Sequence, residues 1–138
     1  MMEDLQDIYE LTPAQQGILF HALYEKELGV YLNQVTFRIK GTVDWPLYQQ
    51  AWQEAIKQHS VLRTCFMWEE LKQPLQLVMN RAELPFQVED WSHLSKEEQE
   101  QRWQDRLLRD RQQGMDLTTA PLMRLFAARC SEQSHRLL

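Results

Sequence analysis

Apolar positions recur along the chain at two periods, and the switch between them marks out its elements. Ile18, Leu19, Ala22 and Leu23 fall on one face at helical spacing, which predicts a helix from Pro13 to about Lys26. Its start is well signalled: Thr12 stands at the N-cap, Pro13 fits the first helical position, and Gln15 completes a capping box. Residues 4–10 form a lead-in whose Ile8 and Tyr9 are expected to pack as a staple on that helix, and Gly29 is expected to break it. From Tyr31 to Lys40 the period changes to two, with Val35, Phe37 and Ile39 alternating against Thr36, Arg38 and Lys40. That predicts a half-buried strand.

Gly41 and Asp44 mark a turn, and Asp44 caps a second helix with Pro46 in its first turn and Leu47, Ala51, Ala55 and Ile56 inward. It ends near His59-Ser60. Strands are predicted at Val61–Trp68 and Leu75–Met79, joined by the loop 69–74, and a short apolar–polar–apolar segment follows at Phe86–Val88. Ser95 and Glu98 form a second capping box ahead of a charged helix, 96–113, with Trp103, Leu107 and Leu108 inward and Gly114 at its end. Its many Glu, Arg and Gln residues read as a solvated face. Leu122–Cys130 predicts another strand, and a turn at Ser131–Ser134 leads into His135–Leu138. Helices alternating with strands in one domain spanning 1–138 point to an α/β, two-layer sandwich with a mixed sheet.

Composition removes several function classes. Charged residues make up 25% and hydrophobic ones 43%, which is ordinary for a globular domain and unlike disorder or a coiled coil. No apolar run reaches the roughly 18–20 residues of a membrane helix, and the first residues lack the pattern of a secretory signal, so no membrane partner is expected. A formal charge of −5 argues against a nucleic-acid partner. Cys65 and Cys130 are far apart and outside any metal-ligand spacing, so both read as buried, reduced thiols of a cytoplasmic protein, and no metal site is expected. The five tryptophans are scattered and read as core and rim.

Three stretches carry more than structure. Leu11-Thr12-Pro13-Ala14-Gln15-Gln16-Gly17-Ile18-Leu19-Phe20-His21 resembles LTPxQxGxLFH, the opening motif of the condensation domains of non-ribosomal peptide synthetases. Gln58-His59-Ser60-Val61-Leu62-Arg63-Thr64-Cys65-Phe66 is similar to the second motif of that family, RHxxLRTxF, with Gln58 in place of the usual Arg. Met115–Arg124 is similar to FDLxxAPLxR, with Met115 replacing Phe. The three occur in the family's order and cover the chain from residue 8 onward.

The resemblance implies one N-terminal lobe of a chloramphenicol acetyltransferase-like fold, in which two lobes form a V with a tunnel between them. It implies amide formation. Donor and acceptor peptidyl carrier proteins would present phosphopantetheine thioesters from opposite ends, with no cofactor bound directly. The C-terminal lobe and a neighbouring adenylation domain are the other implied partners. The family's catalytic HHxxxDG, whose second histidine acts as base or orients the amine, is absent from these 138 residues. The expectation is therefore a fragment ending just before that motif, inactive alone and self-associating through exposed surface. A carrier-docking module without catalysis, or a lobe of an epimerisation or heterocyclisation domain, are the alternatives.

The residues that match the motifs are Leu11, Thr12, Pro13, Gln15, Gly17, Leu19, Phe20, His21, His59, Leu62, Arg63, Thr64 and Phe66. Gln15 and Gln16 are also candidates for the tunnel edge. Two readings of Arg63 stand side by side: a guanidinium supporting the active-site loop through charged hydrogen bonds, or a strand-edge arginine in solvent. A lone His near a helix end usually caps carbonyls or packs, which is the expectation for His21 and His59. Cys65 with His59 invites a nucleophile–base pair. A strand position, with no orienting Asn or Asp and no helix N-terminus beside it, favours an inert thiol instead.

Overall fold

The computed structural model describes residues 4–25 and 31–138. Among the described residues, seven strands form two sheets. Strands β1 (Leu5–Glu10), β4 (Leu75–Met79) and β3 (Thr64–Met67) make an antiparallel sheet in the order β1-β4-β3. Strands β2 (Phe37–Lys40), β7 (Ser134–Leu137), β6 (Leu125–Ser131) and β5 (Phe86–Asp90) make a mixed sheet in the order β2-β7-β6-β5. Among the described strands only the β5–β6 pair is parallel, because helix α3 (Lys96–Gln113) carries the chain back between them. The two other helices are α1 (Pro13–Tyr24) and α2 (Trp45–Gln58).

The mixed sheet organises the core. Side chains alternate across a strand, so β6 sends Phe126 and Ala128 to one face and Leu125 to the other. On the first face Trp91, Trp103 of α3, Phe126 and Ala128 form one buried cluster. On the second, Ile56 of α2 packs with Ala82, Leu84, Phe86 and Leu125. The α/β class with a mixed sheet holds. Helix α3 packs on one face of this sheet and α2 on the other, and the antiparallel strands form a second sheet.

Where the boundaries differ from the sequence-based ones, hydrogen-bonding partners explain the difference. The strand expected over Tyr31–Lys40 is confined to Phe37–Lys40, since β7 offers partners only to those four residues. Val35 and Phe37 are exposed instead of half-buried. Val61–Arg63 belongs to a short 3-10 helix, Ser60–Arg63, and β3 begins only at Thr64, opposite Val78. Residues 5–10 are a strand and not a staple, because β4 supplies their ladder; Ile8 and Tyr9 remain largely exposed. Leu122–Arg124 precede β6, which starts at Leu125 opposite Phe86.

The helices follow their caps. Both capping boxes form, Thr12 with Gln15 and Ser95 with Glu98, and Asp44 accepts from Leu47 N at 3.0 Å. Helix α3 has its expected bounds, with Trp103 buried and Gly114 at φ 64°, where a side chain would be strained. Leu108 is exposed, however, and so is Leu47 on α2. On α1 only Leu19 is buried, while Ile18 is 46% exposed. Apolar residues surround that helix, and a single line of them meets the rest of the chain. The expected end of α1 at Lys26 and the break at Gly29 lie outside the described residues. No described helix is long and apolar enough to cross a membrane.

Candidate functional site

The three sequence stretches meet at one cleft of about 370 Å³, lined by Gln15 of α1, Thr64 and Phe66 of β3, and Leu122. Tyr9 and Gln76 close it from β1 and β4, and Val61 and Val78 add apolar wall. Backbone hydrogen bonding fixes the convergence: Phe66 N donates to Leu117 O at 2.8 Å, holding the third stretch along β3. The cleft therefore sits where α1, the antiparallel sheet and the segment before β6 come together.

Its polar groups are amides and hydroxyls. Gln15 serves twice, accepting from Thr12 N at 2.9 Å as part of the cap and lying within 3.3 Å of the Gln76 amide. Gln76 Nε2 also donates to Glu10 O at 3.2 Å, so this pair ties α1 to both β1 and β4. Thr64 Oγ1 donates to Ser60 O at 3.0 Å. The Tyr9 hydroxyl donates to Asp7 Oδ2 at 2.6 Å, which raises the phenol and lowers the carboxyl from their ordinary values. Among the described residues no His, Cys, Asp or Glu lines the cleft, whose lining suits orienting a ligand.

Arg63 is buried, 7% exposed, which removes the solvent-exposed reading. Its Nε donates to Ile56 O at 3.0 Å at the end of α2, and its Nη1 donates to Gln6 Oε1 at 2.7 Å and to Met79 O. One guanidinium thus joins α2, β1 and β4, satisfying a buried charge with carbonyl acceptors. Leu11 and Leu19 are core residues, Leu62 is half-buried, and Thr12 and Pro13 serve the helix start. Gly17 lies exposed, with open space where a Cβ would stand. Phe20 is 63% exposed, stacked on Tyr24 and edge-on to His21, which is itself exposed. His59 is exposed at the end of α2, where its backbone N–H donates to Ala55 O. Gln16 Nε2 donates back to Leu11 O at 3.2 Å, and Gln16 does not line the cleft.

Cys65 is buried on β3, and burial pushes its thiol above the ordinary value, opposed by a hydrogen bond with the Ala120 backbone. That environment disfavours a thiolate. Cys130 is half-buried, not buried, and burial raises it as well; both cysteines are free. Among the described residues no cluster of three or more His, Cys, Asp or Glu is placed to hold a metal ion.

Two contributions escaped the sequence. Gln76 has no local signal, since its partners lie 61 and 66 positions away. Arg124, the last residue of the third stretch, donates to Asp110 Oδ1 at 2.6 Å, to Asp110 O at 2.7 Å and to Gly114 O at 2.6 Å. Asp110 sits on the helix read as a solvated face, yet it is buried and also accepts from Gln34 Nε2 at 2.9 Å. This knot ties the last turns of α3 to the end of the third stretch.

The family model described as Condensation domain matches residues 5–138. Gramicidin S synthase 2 of Brevibacillus brevis is 39% identical over 123 residues, 89% of this chain and 3% of its own length. Tyrocidine synthase 2 of Brevibacillus parabrevis is 32% identical over 136 residues, 99% of this chain and 4% of that protein. The chain thus spans only a few per cent of these curated relatives. Among solved structures, the first condensation domain of the CDA synthetase superposes with a TM-score of 0.78 at 18% identity, over 97% of this chain and 34% of that one. The shared fold is the chloramphenicol acetyltransferase-like one of condensation domains. With a family match that runs through all three stretches and a common backbone arrangement around them, this chain belongs to the condensation domain family.

Proposed function

We propose that these 138 residues act as the N-terminal lobe of a condensation domain that forms peptide bonds in non-ribosomal peptide synthesis. The observation that carries this is the convergence of all three family stretches on one cleft. The reaction joins two carrier-bound chains. The acceptor amine attacks the donor thioester carbonyl, the C–N bond forms, the C–S bond breaks, and the donor thiol leaves with a proton while the amine loses one. Most of the acceleration comes from holding two tethered substrates in line. A cleft lined by amides, hydroxyls and apolar side chains suits such a positioning role.

The partners in this proposal are donor and acceptor carrier proteins with their phosphopantetheine arms, an adenylation domain and a second lobe. The catalytic residues are those of an HHxxxDG motif, which these 138 residues do not contain. Arg63 is a positioning residue here. It braces α2, β1 and β4 against one another, and in this proposal that frame supports the active-site loop. The 138-residue chain alone is inactive in this scheme and self-associates through exposed apolar positions such as Phe20, Val35 and Phe37. A monomer by light scattering at high concentration overturns the self-association.

The deciding experiment is amide formation between loaded donor and acceptor carrier proteins. It compares this chain with a version continued through HHxxxDG and the second lobe. Product only from the longer protein is the expected result. Product from the 138 residues alone overturns the assignment of chemistry.

A further inference from the structure

A second cleft, of about 340 Å³, is formed by β2, β7 and α3, and none of the three family stretches lines it. Arg38 and Arg136 both line it. They are direct partners across the β2–β7 pair, so two like charges face the same side of neighbouring strands, an arrangement that costs stability unless compensated. One carboxylate is present for the two. Glu100 is bound by Arg136 Nη2, and its other oxygen accepts from Gln104 Nε2 at 2.9 Å. Arg136 is also seated over the Trp103 ring, 5.3 Å from its centroid.

Arg136 and Glu100 therefore satisfy each other, while Arg38 has no hydrogen-bond or ion-pair partner among the described residues. Its field still reaches the cleft, since it helps hold the Glu100 carboxyl below the ordinary carboxylate range after the larger contributions of Arg136 and Gln104. The lining carries two cations against one anion, a surplus of one positive charge, and the half-buried Leu107, with the small exposed edge of the otherwise buried Trp103, gives it a narrow apolar wall. Its volume is at the lower end of small-ligand sites.

We propose that this cleft binds a small organic anion, its charged group on Arg38 and its apolar body against Leu107 and the exposed edge of Trp103. A planar guanidinium with an open fork favours carboxylate and phosphate, the two headgroups of matching geometry. The site is separate from the cleft assigned to peptide-bond formation, so its occupancy is independent of that assignment.

Calorimetric titration tests it with 3-phenylpropionate, phenyl phosphate and the uncharged 3-phenylpropionamide. At least one of the two anions is expected to saturate, and whichever binds more tightly identifies the headgroup. The amide is expected to bind at least about tenfold more weakly. Arg38→Gln removes that preference, Arg38→Lys retains part of it, and Arg81→Gln, an exposed arginine outside the lining, leaves it intact. Equal binding of amide and anions, an unchanged preference in Arg38→Gln, or no saturation by either anion overturns the proposal. The comparison of ligands on the unaltered protein stands even if a variant fails to fold.

Discussion

Around the mixed sheet, α2 and α3 bury one cluster on each face, with Trp91, Trp103 and Phe126 on one side and Ile56 with Leu84 on the other. Around the antiparallel sheet, α1 buries Leu19 alone and leaves Ile18, Phe20 and the 81%-exposed Tyr24 uncovered. The first region is held by apolar packing on both faces. The second buries smaller, separate apolar groups (Leu11, Leu19, Cys65 and Val78) and is tied by backbone ladders, an amide pair and the Arg63 guanidinium. Hydrogen bonds of that kind contribute little net stability but set geometry sharply, whereas apolar burial contributes most of the stability and little direction. The motif-bearing cleft belongs to the second region. Its stability comes from the first through the connections at Phe66–Leu117 and Arg63–Ile56.

The largest test of this contrast compares two phenylalanines. Phe126→Ala is expected to destabilise the protein by about 3–5 kcal/mol, since a fully enclosed ring leaves a cavity. Phe20→Ala, on the exposed side of α1, is expected to stay within about 0.5 kcal/mol. Urea denaturation measures both, and similar losses would erase the distinction between the regions. Next is the knot at the end of α3. Arg124→Ala strands the buried Asp110 carboxylate and is expected to cost about 3 kcal/mol. Adding Asp110→Ala should cost less than the two single losses together, because the second change removes the stranded charge.

The smallest effect is in pH. The Glu100 carboxyl is lowered from its usual 4.5 by hydrogen bonds from Arg136 and Gln104 and by the charges of Arg136 and Arg38. A group lowered on folding stabilises the folded state above its unfolded value and loses that contribution as pH falls through the folded one. The Glu100 contribution is therefore intact above about 4.5 and disappears below it, and it is small because half of that side chain faces solvent. Thermal melts of Glu100→Gln should show a shallower loss of stability than the parent below that pH and a matching loss above it.

Local signals are reliable wherever a few neighbouring residues settle the backbone. Thr12-Pro13-Ala14-Gln15 and Ser95–Glu98 contain their own caps, and Gly114 its own stop, so α1 begins and α3 begins and ends as the residues indicate. Leu75–Met79 reads as a strand and is one. The three motif stretches are equally legible, as wording. Their meeting at one cleft is not, because Gln15 and Gln76, or Phe66 and Leu117, are brought together by strand pairing across dozens of residues.

The helices, most of the strands, the α/β class and the family can all be read from the chain before it folds, because they rest on neighbouring residues or on matched strings. Three things depend on contacts between distant segments: which apolar residues are covered, where each strand starts, and what the charged side chains do. Val35, Leu47 and Leu108 sit at inward positions of their periodic patterns, yet nothing in the described structure covers them. Arg63 and Asp110 carry charges that composition places in water, yet carbonyls and a second charge enclose them. Burial is a property of the partner as much as of the residue, and the partner lies elsewhere in the chain.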